Sequence, residues 1–479
     1  MLKNLKPTFA PKNIMINFLP LLLSTLLLGA TQSSDLPSDI SSDFASYDGD
    51  FLRLVGEVKL YHDLGHMQAH QALLKKGGKD FPFTNMHLEE DVSFSFQNDS
   101  ELFCDEAQLD FIGRFGTVLS QDKLVLYRSR KKEALDLVSR QIDFQFEEQD
   151  EHILEISSLM AKEAVHIDYA NKYHLDADQA YFDNETLSTS QINTPCHLTH
   201  LQDEVEARQI TIHLESRNLE MESPRGKVSS FFFPESKSRP CNFSARFLFW
   251  DDEKDVMTLK QNILIQDEFL GTIEGEETIR FFQKEQFGKY VMQAIIATGP
   301  TTLRSAETAE EKHALTSFGT LTLDRDLLLV TATSPKQNGT ILFDKQLIFV
   351  KGDLSLQADE ASLEYSLCQM ELKPTSVNLK GRVRLLSNDP ETPFRCGVAD
   401  EVLLNPQTKE MRLLAQAGHQ VLFWHEEQNL RLSAQEIVVI PDPVSGKDVI
   451  KGIGNVRFSF NEEQQETFHK LFPQGEVRS

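Results

Sequence analysis

The chain predicts a mainly β protein: a long antiparallel sheet folded over on itself, open at its ends, built from stacked units of roughly 35–40 residues. Three observations carry that expectation. A six-residue phrase recurs, the segments around it alternate between apolar and polar residues, and turn-forming residues separate those segments. The phrase reads apolar, any residue, Ala, any residue, Glu or Gln, apolar. Its cleanest copies are Met67–Ala72, Leu175–Ala180, Val205–Ile210, Leu356–Ala361 and Leu432–Ile437, and looser copies place Cys104, Ser139, Ala245 and Ala399 in the small-residue slot. The slots at 69, 104, 139, 177, 207 and 245 lie 35, 35, 38, 30 and 38 residues apart; after a gap, 358, 399 and 434 follow at 41 and 35. A period of this size marks a supersecondary unit that buries its apolar face only against its neighbours.

The flanking segments read as strands. Leu54, Gly56, Val58 and Leu60 share one face, as do Val92, Phe94 and Phe96, then Val377, Leu379, Gly381, Val383 and Leu385, and finally Ile450 to Phe460. Strict alternation with β-branched and aromatic residues is the signature of a half-buried strand. Inside the phrase the period breaks, because the next apolar residue lies three beyond the Ala. That step moves the buried side to the other face, as a bulge or a strand turning a corner between sheets does. A small residue suits the inside of such a bend. Turn signals such as Lys76-Gly77-Gly78, Asn388-Asp389-Pro390 and Asn405-Pro406 place short hairpins between the strands.

Residues 1–30 read as a signal peptide or an uncleaved anchor. Lys3, Lys6 and Lys12 precede the apolar run Ile14–Leu28, which Gly29-Ala30 follows. Residues 31–50 form a polar tether. The repeats divide into an N-terminal region, 51–235, and a C-terminal region, 241–460, with the boundary in the proline-bracketed stretch Pro234–Pro240. Within 285–345 no clean phrase appears, although strand-like pieces persist. Asn461-Glu462-Glu463-Gln464 reads as a capping box opening a short helix in 461–479 that covers one end of the stack.

Composition narrows the function. Formal charge is −25 overall and +3 over the first 30 residues, leaving −28 for the rest. Such a surface disfavours nucleic acid, which is met with Lys and Arg. The 33 Phe against 8 Tyr and 2 Trp suit a dry interior or groove better than a membrane barrel with aromatic girdles. Five cysteines make no disulfide framework, and Cys104 in a small-residue slot reads as a buried small hydrophobe.

The chemistry of a catalytic site is hard to place. His62, His66 and His70 have helical metal-ligand spacing but straddle a hairpin turn, and Cys196, His197 and His200 lack further ligands. Asp176 and Asp178 read as the exposed face of one repeat. No phosphate loop, zinc-protease motif or nucleophile elbow is present in the sequence. The reading is of a protein that is not an enzyme and uses no metal or cofactor.

The two halves of the repeat, in Gly381–Leu385, Gly454–Phe458, Leu356–Ala361 and Leu175–Ala180, resemble the OstA-like, LptA-like family of lipopolysaccharide-transport proteins over residues 50–460. The resemblance implies a β-taco, or β-jellyroll, whose apolar interior holds the acyl chains of lipopolysaccharide or a related glycolipid in outer-membrane biogenesis. It implies head-to-tail strand addition to other envelope transport proteins. It implies export to the periplasm of a Gram-negative-type cell, with or without an inner-membrane anchor. The candidate lipid-lining residues are Val58, Leu60, Phe94, Phe96, Phe243, Phe247, Phe249, Leu354, Leu356, Val383, Leu385, Val421, Phe423, Val456 and Phe458. The alternative is an exported β-repeat adhesion or structural scaffold with a fully packed core.

Overall fold

The computed structural model describes residues 40–459, apart from 78–82, 98, 122, 131–132, 149–153, 201–202, 229–240, 287–288, 307–311, 338–339, 369–370, 388–393, 427–429 and 442–447. The expected signal segment and terminal helix lie outside the described residues.

One antiparallel sheet of 40 strands runs through the described chain. It is folded lengthwise into two walls that meet along a spine and face each other across a continuous apolar core. Long strands pass through the spine unbroken. Leu154–Tyr169 pairs with Gln141–Glu148 through residues 154–162, in the first wall, and with Leu135–Ser139 through 166–169, in the second. Short strands stay in one wall, so Thr186–Ser190 pairs with Gln209–His213 while Cys196–His200 pairs with Asp203–Ala207. The chain thus bends at the spine, makes a hairpin at the free margin or lip of one wall, and returns. The ladder is continuous across the stretch expected to divide two regions. Arg225–Val228 pairs with Cys241–Ser244, and Leu219–Glu222 with Phe247–Asp251.

The recurring phrase is the bend. In Leu175–Ala180 the inward residues are Leu175, Ala177 and Ala180, with Asp178 at the corner between them. Every copy carries the chain from the second wall to the first. The return bends use a different device. Opposite each single corner residue stand two residues in the left-handed region: Gly56-Glu57, Glu90-Asp91, Glu163-Ala164 and Gly381-Arg382. Two residues against one is a bulge, and it sharpens the local twist enough to turn the strand.

The spine is stitched by its own backbone hydrogen bonds. Arg208 N–H donates to Glu222 O at 2.9 Å, Arg246 to Gln261 at 2.9 Å, Gln261 to Glu277 at 2.9 Å, and Gln435 to Gly454 at 2.9 Å. Polar main-chain groups freed by the bend therefore find partners in the next bend. Where the corner residue is Asp, its carboxylate also holds the neighbouring bend. Asp178 accepts from the N–H groups of Ile192, Asn193 and Thr194, and Asp400 from Gln416 N–H at 2.7 Å.

The stretch 285–345 belongs to the same stack. Ser317 occupies the small-residue slot there, as Gly275 does just before it, and Gly299 N–H donates to Gly319 O at 2.9 Å along the spine. Lys336–Gln337 and Thr340–Ile341 pair outside the main sheet at one bend, flanked by buried Ser334 and Gln346. Ser334 Oγ donates to Ala358 O and accepts from Leu347 N–H.

Candidate functional site

The inner faces of the two walls are the candidate site, and most predicted lining residues lie there. Val58, Leu60, Phe94, Phe96, Phe243, Leu356, Val383, Leu385, Val421 and Phe423 are buried in the core, and Leu354 packs against it half-buried. Phe96 and Phe144 meet edge-on across the interior with ring centroids 6.3 Å apart. Phe458 pairs with inward-facing Leu432 but is 56% exposed, because its strand, Arg457–Ser459, closes the described stack. Val456 shares that open end.

Phe247 and Phe249 are corrections. Leu248 points inward and is 4% exposed, so its neighbours on either side lie on the outer face of the first wall. The cause is the bend itself. Ala245 fills the small slot and Arg246 the corner, which puts Phe247 in the Glu/Gln slot and moves the inward register to Leu248. On the outside, Arg246 lies over the Phe247 ring at 5.4 Å and Lys260 over Phe249 at 4.4 Å.

The core is filled over most of its length. Leu88, Leu102, Leu137, Ile142, Ile210, Ile265, Ile295, Leu347 and Leu413 are wholly buried, side chain against side chain. The walls part at the lips in a small cavity of about 40 Å³ that is partly open to solvent. Phe269, Leu270 and Leu303 line it from the second wall, and Leu323, Val330 and Leu372 from the first. Polar groups are few. His313 Nε2 and Tyr365 Oη are hydrogen-bonded at 2.9 Å across the gap, and Ser305 and Asp324 also line it. Burial pushes the Tyr365 phenol well above its ordinary pKa, so it stays neutral.

The His313–Tyr365 pair is one of a series of contacts that join lip to lip. Arg217 meets Glu133 at 2.8 Å, Lys351 Nζ donates to Pro406 O at 3.2 Å, Leu154 N–H donates to Asp63 O at 3.3 Å, and Arg395 pairs with Asp448. No motif announces these pairs, since each joins hairpins far apart in sequence.

The histidine and cysteine clusters dissolve on folding. His62 packs on Phe111, with centroids 4.6 Å apart, and burial lowers its pKa; His66 stacks on Tyr61, while His70 stands exposed at a bend. Cys196 is buried, and His200 stacks on Tyr173. Among the described residues no three His, Cys, Asp or Glu side chains come together as metal ligands. No described helix is long and apolar enough to cross a membrane.

The architecture defines a class: an elongated, folded antiparallel sheet enclosing an apolar core, as in the β-taco. Neither a family model nor a curated protein matches the chain.

Proposed function

We propose that this is a non-enzymatic periplasmic protein that holds lipopolysaccharide or a related glycolipid during outer-membrane biogenesis. The observation that carries the reading is a folded sheet whose two walls enclose one apolar core and are joined along the spine alone by continuous strands. Acyl chains are taken between the walls, where dispersion and hydrophobic burial favour them. The charged Lys3–Lys12 segment ahead of an apolar run supports export.

Among the described residues, both ends of the sheet finish in strands with one paired side, which supports strand addition there. Ile40–Ser41 and Phe44–Tyr47 edge one end, with Phe44 74% exposed; Asp448–Ile453 and Arg457–Ser459 edge the other. In the proposed assembly, neighbouring envelope transport proteins pair with these edges, burying Phe44 or Phe458 and satisfying unpaired backbone groups. A photo-crosslinking residue at Phe458 or Leu303 in cells is expected to capture glycolipid. Mass spectrometry of the chain purified from envelopes is expected to find the same molecule. Its absence from both overturns the reading.

One observation favours a second reading, a packed envelope scaffold. Inward side chains such as Leu137, Leu356 and Ile437 are wholly buried against one another. Under that reading the protein purifies without lipid, and crosslinks from Phe458 go to protein alone.

A further inference from the structure

We infer that the outer face of the second wall, at its C-terminal end, docks on the headgroup layer of a bilayer rich in anionic lipid. Seven strands lie side by side there, from Leu347–Lys351 to Arg457–Ser459, and each sends two side chains outward, fourteen in all. None of the fourteen is Asp or Glu, and Arg384, Arg431 and Arg457 give the face +3 on a chain of −25. Apolar groups stand between these arginines. Arg384, Val398 and Leu422 are successive cross-strand neighbours in one rung, and Leu386, Trp424 and Arg431 share the other.

Other outer faces of the sheet set acids beside their bases. On the first wall, Lys380 meets Glu401 at 3.5 Å and Arg412 Nε donates to Glu436 at 2.9 Å. At the N-terminal end of the second wall the outward positions include Asp136, Asp168, Asp176, Glu204 and Glu206. Described carboxylates flank the basic face at its margins, Asp353 and Glu426 at the lips and Asp359 and Asp400 at the bends.

The side chains select the partner. Burial and the neighbouring Arg382 charge lower the pKa of Arg384, and an anion beside it offsets both effects. Phe394 packs edge-on against Trp424 with ring centroids 5.3 Å apart, while Val350 and Leu422 stay 37% and 38% exposed. Arginines at the level of the phosphates, with aliphatic groups reaching the acyl boundary, suit a surface that lies in the membrane interface. Screening over about 8 Å lets a headgroup layer meet the local +3 and not the distant acids. A second copy fits less well, since its acid-rich end already holds Arg225 on Glu206 and histidines on Asp168 and Asp176. Lying outside the core, the face does not depend on the lipid-holding reading.

The test uses the full chain carrying Trp250→Phe, which leaves Trp424 as its one tryptophan. The apolar run Ile14–Leu28 can enter any vesicle, so the readout is local: quenching of Trp424 by brominated lipid. Brominated phosphatidylglycerol vesicles are expected to quench it several-fold more than brominated phosphatidylcholine vesicles, and about 1 M salt is expected to abolish the difference. Arg384→Gln, Arg431→Gln and Arg457→Gln together are expected to raise the lipid concentration needed for half-quenching about tenfold or more. Lys380→Gln, Arg412→Gln and Lys451→Gln, the same charge change on the first wall, are expected to leave it unchanged. The lipid comparison needs no arginine variant, so it decides even where a triple substitution does not fold. Equal quenching by both lipids, no quenching, or equal losses in the two triple variants overturns the inference. Self-association without quenching, abolished by the second-wall substitutions, assigns the face to another copy and also overturns it. A chain that carries glycolipid but shows no quenching sinks this inference alone.

Discussion

Substituting Gly381 by Ala tests the account of how the sheet folds over. Gly381 has φ +78° and opposes the corner residue Asp359. A Cβ built there would lie 2.6 Å from Asp359 Oδ2 and 2.8 Å from Asp359 Cβ. The first contact could be relieved by rotating the carboxylate, but Arg382 and Gln346 hold it, each at 2.8 Å. The second cannot be relieved by rotation at all, because Asp359 Cβ is fixed by a backbone whose N–H bonds Lys380 O and Gly381 O at 3.0 Å. The substitution therefore adds about 1–2 kcal/mol for the left-handed conformation and about 1–3 kcal/mol for overpacking. Gly352 is the control: φ is +59° with nothing within 4 Å of its would-be Cβ, so Gly352→Ala bears only the first cost. Hydrogen exchange at the Ser334 and Asp359 amides, backed by urea midpoints, measures the difference. Exchange about tenfold or more faster in Gly381→Ala than in Gly352→Ala is expected, since ~1.4 kcal/mol is a factor of ten. Equal effects would refute the claim that close approach at the bend requires glycine.

Further expectations follow from the same geometry. Phe243→Ala removes an inward ring and should cost about 3–5 kcal/mol, whereas Phe247→Ala removes an outward one and should cost about 1 kcal/mol or less; similar shifts in urea midpoint would show the register across Ala245-Arg246 to be wrong. The backbone N–H groups of Thr194 and Asn193 hold the Asp178 carboxyl well below its ordinary range, so its contribution to the bend at 191–195 is complete above about pH 4 and is lost as acid protonates it through the lowered folded pKa. An NMR titration should show the Ile192–Thr194 amides holding their shifts down to that pH and moving below it; movement centred near neutrality would contradict the assignment. Burial pushes the Cys396 thiol up to about 12 and raises those of Cys104, Cys196 and Cys241, so iodoacetamide at pH 8 should leave all four unmodified in the folded chain. Peptide mapping that finds rapid labelling at Cys104 would place it outside the core.

The bend was legible in the sequence because its three-residue step breaks a period of two, and few other local events do that. The return bend was not. Glycine marks it at Gly56, Gly381 and Gly454, but Glu90-Asp91, Glu163-Ala164 and Gln261-Asn262 adopt the same left-handed region without glycine, held by the strand they oppose. The copies at Gly275 and Ser317 do not match the phrase because the next inward side chains, Ile279 and Leu321, lie four residues beyond the slot and not three. Phe247 was misplaced for a related reason: an aromatic in the Glu/Gln slot looks like core until the register is counted through the corner. The cavity had no sequence signal at all. It exists because lips from two walls stand apart, and Phe269 and Leu372 meet only once the sheet has folded.

The two long margins of the body are held by different physics, and that difference says where it opens. Along the spine, continuous strands and a line of backbone hydrogen bonds tie each bend to the next, so parting there would break covalently linked strands out of register. Along the lips, the walls are tied by isolated polar contacts, each worth about 1 kcal/mol net. Most of what keeps the lips closed is therefore the apolar packing behind them. Where that packing is complete, opening exposes side chains such as Leu137 and Ile210, at roughly 25 cal/mol per Å² of newly wetted surface. At the cavity the lining atoms already lack partners on one side, so opening there forfeits less. The lowest-energy opening is thus local, lies at the hairpins carrying Phe269 and Leu328, and leaves the spine and both ends of the stack in register.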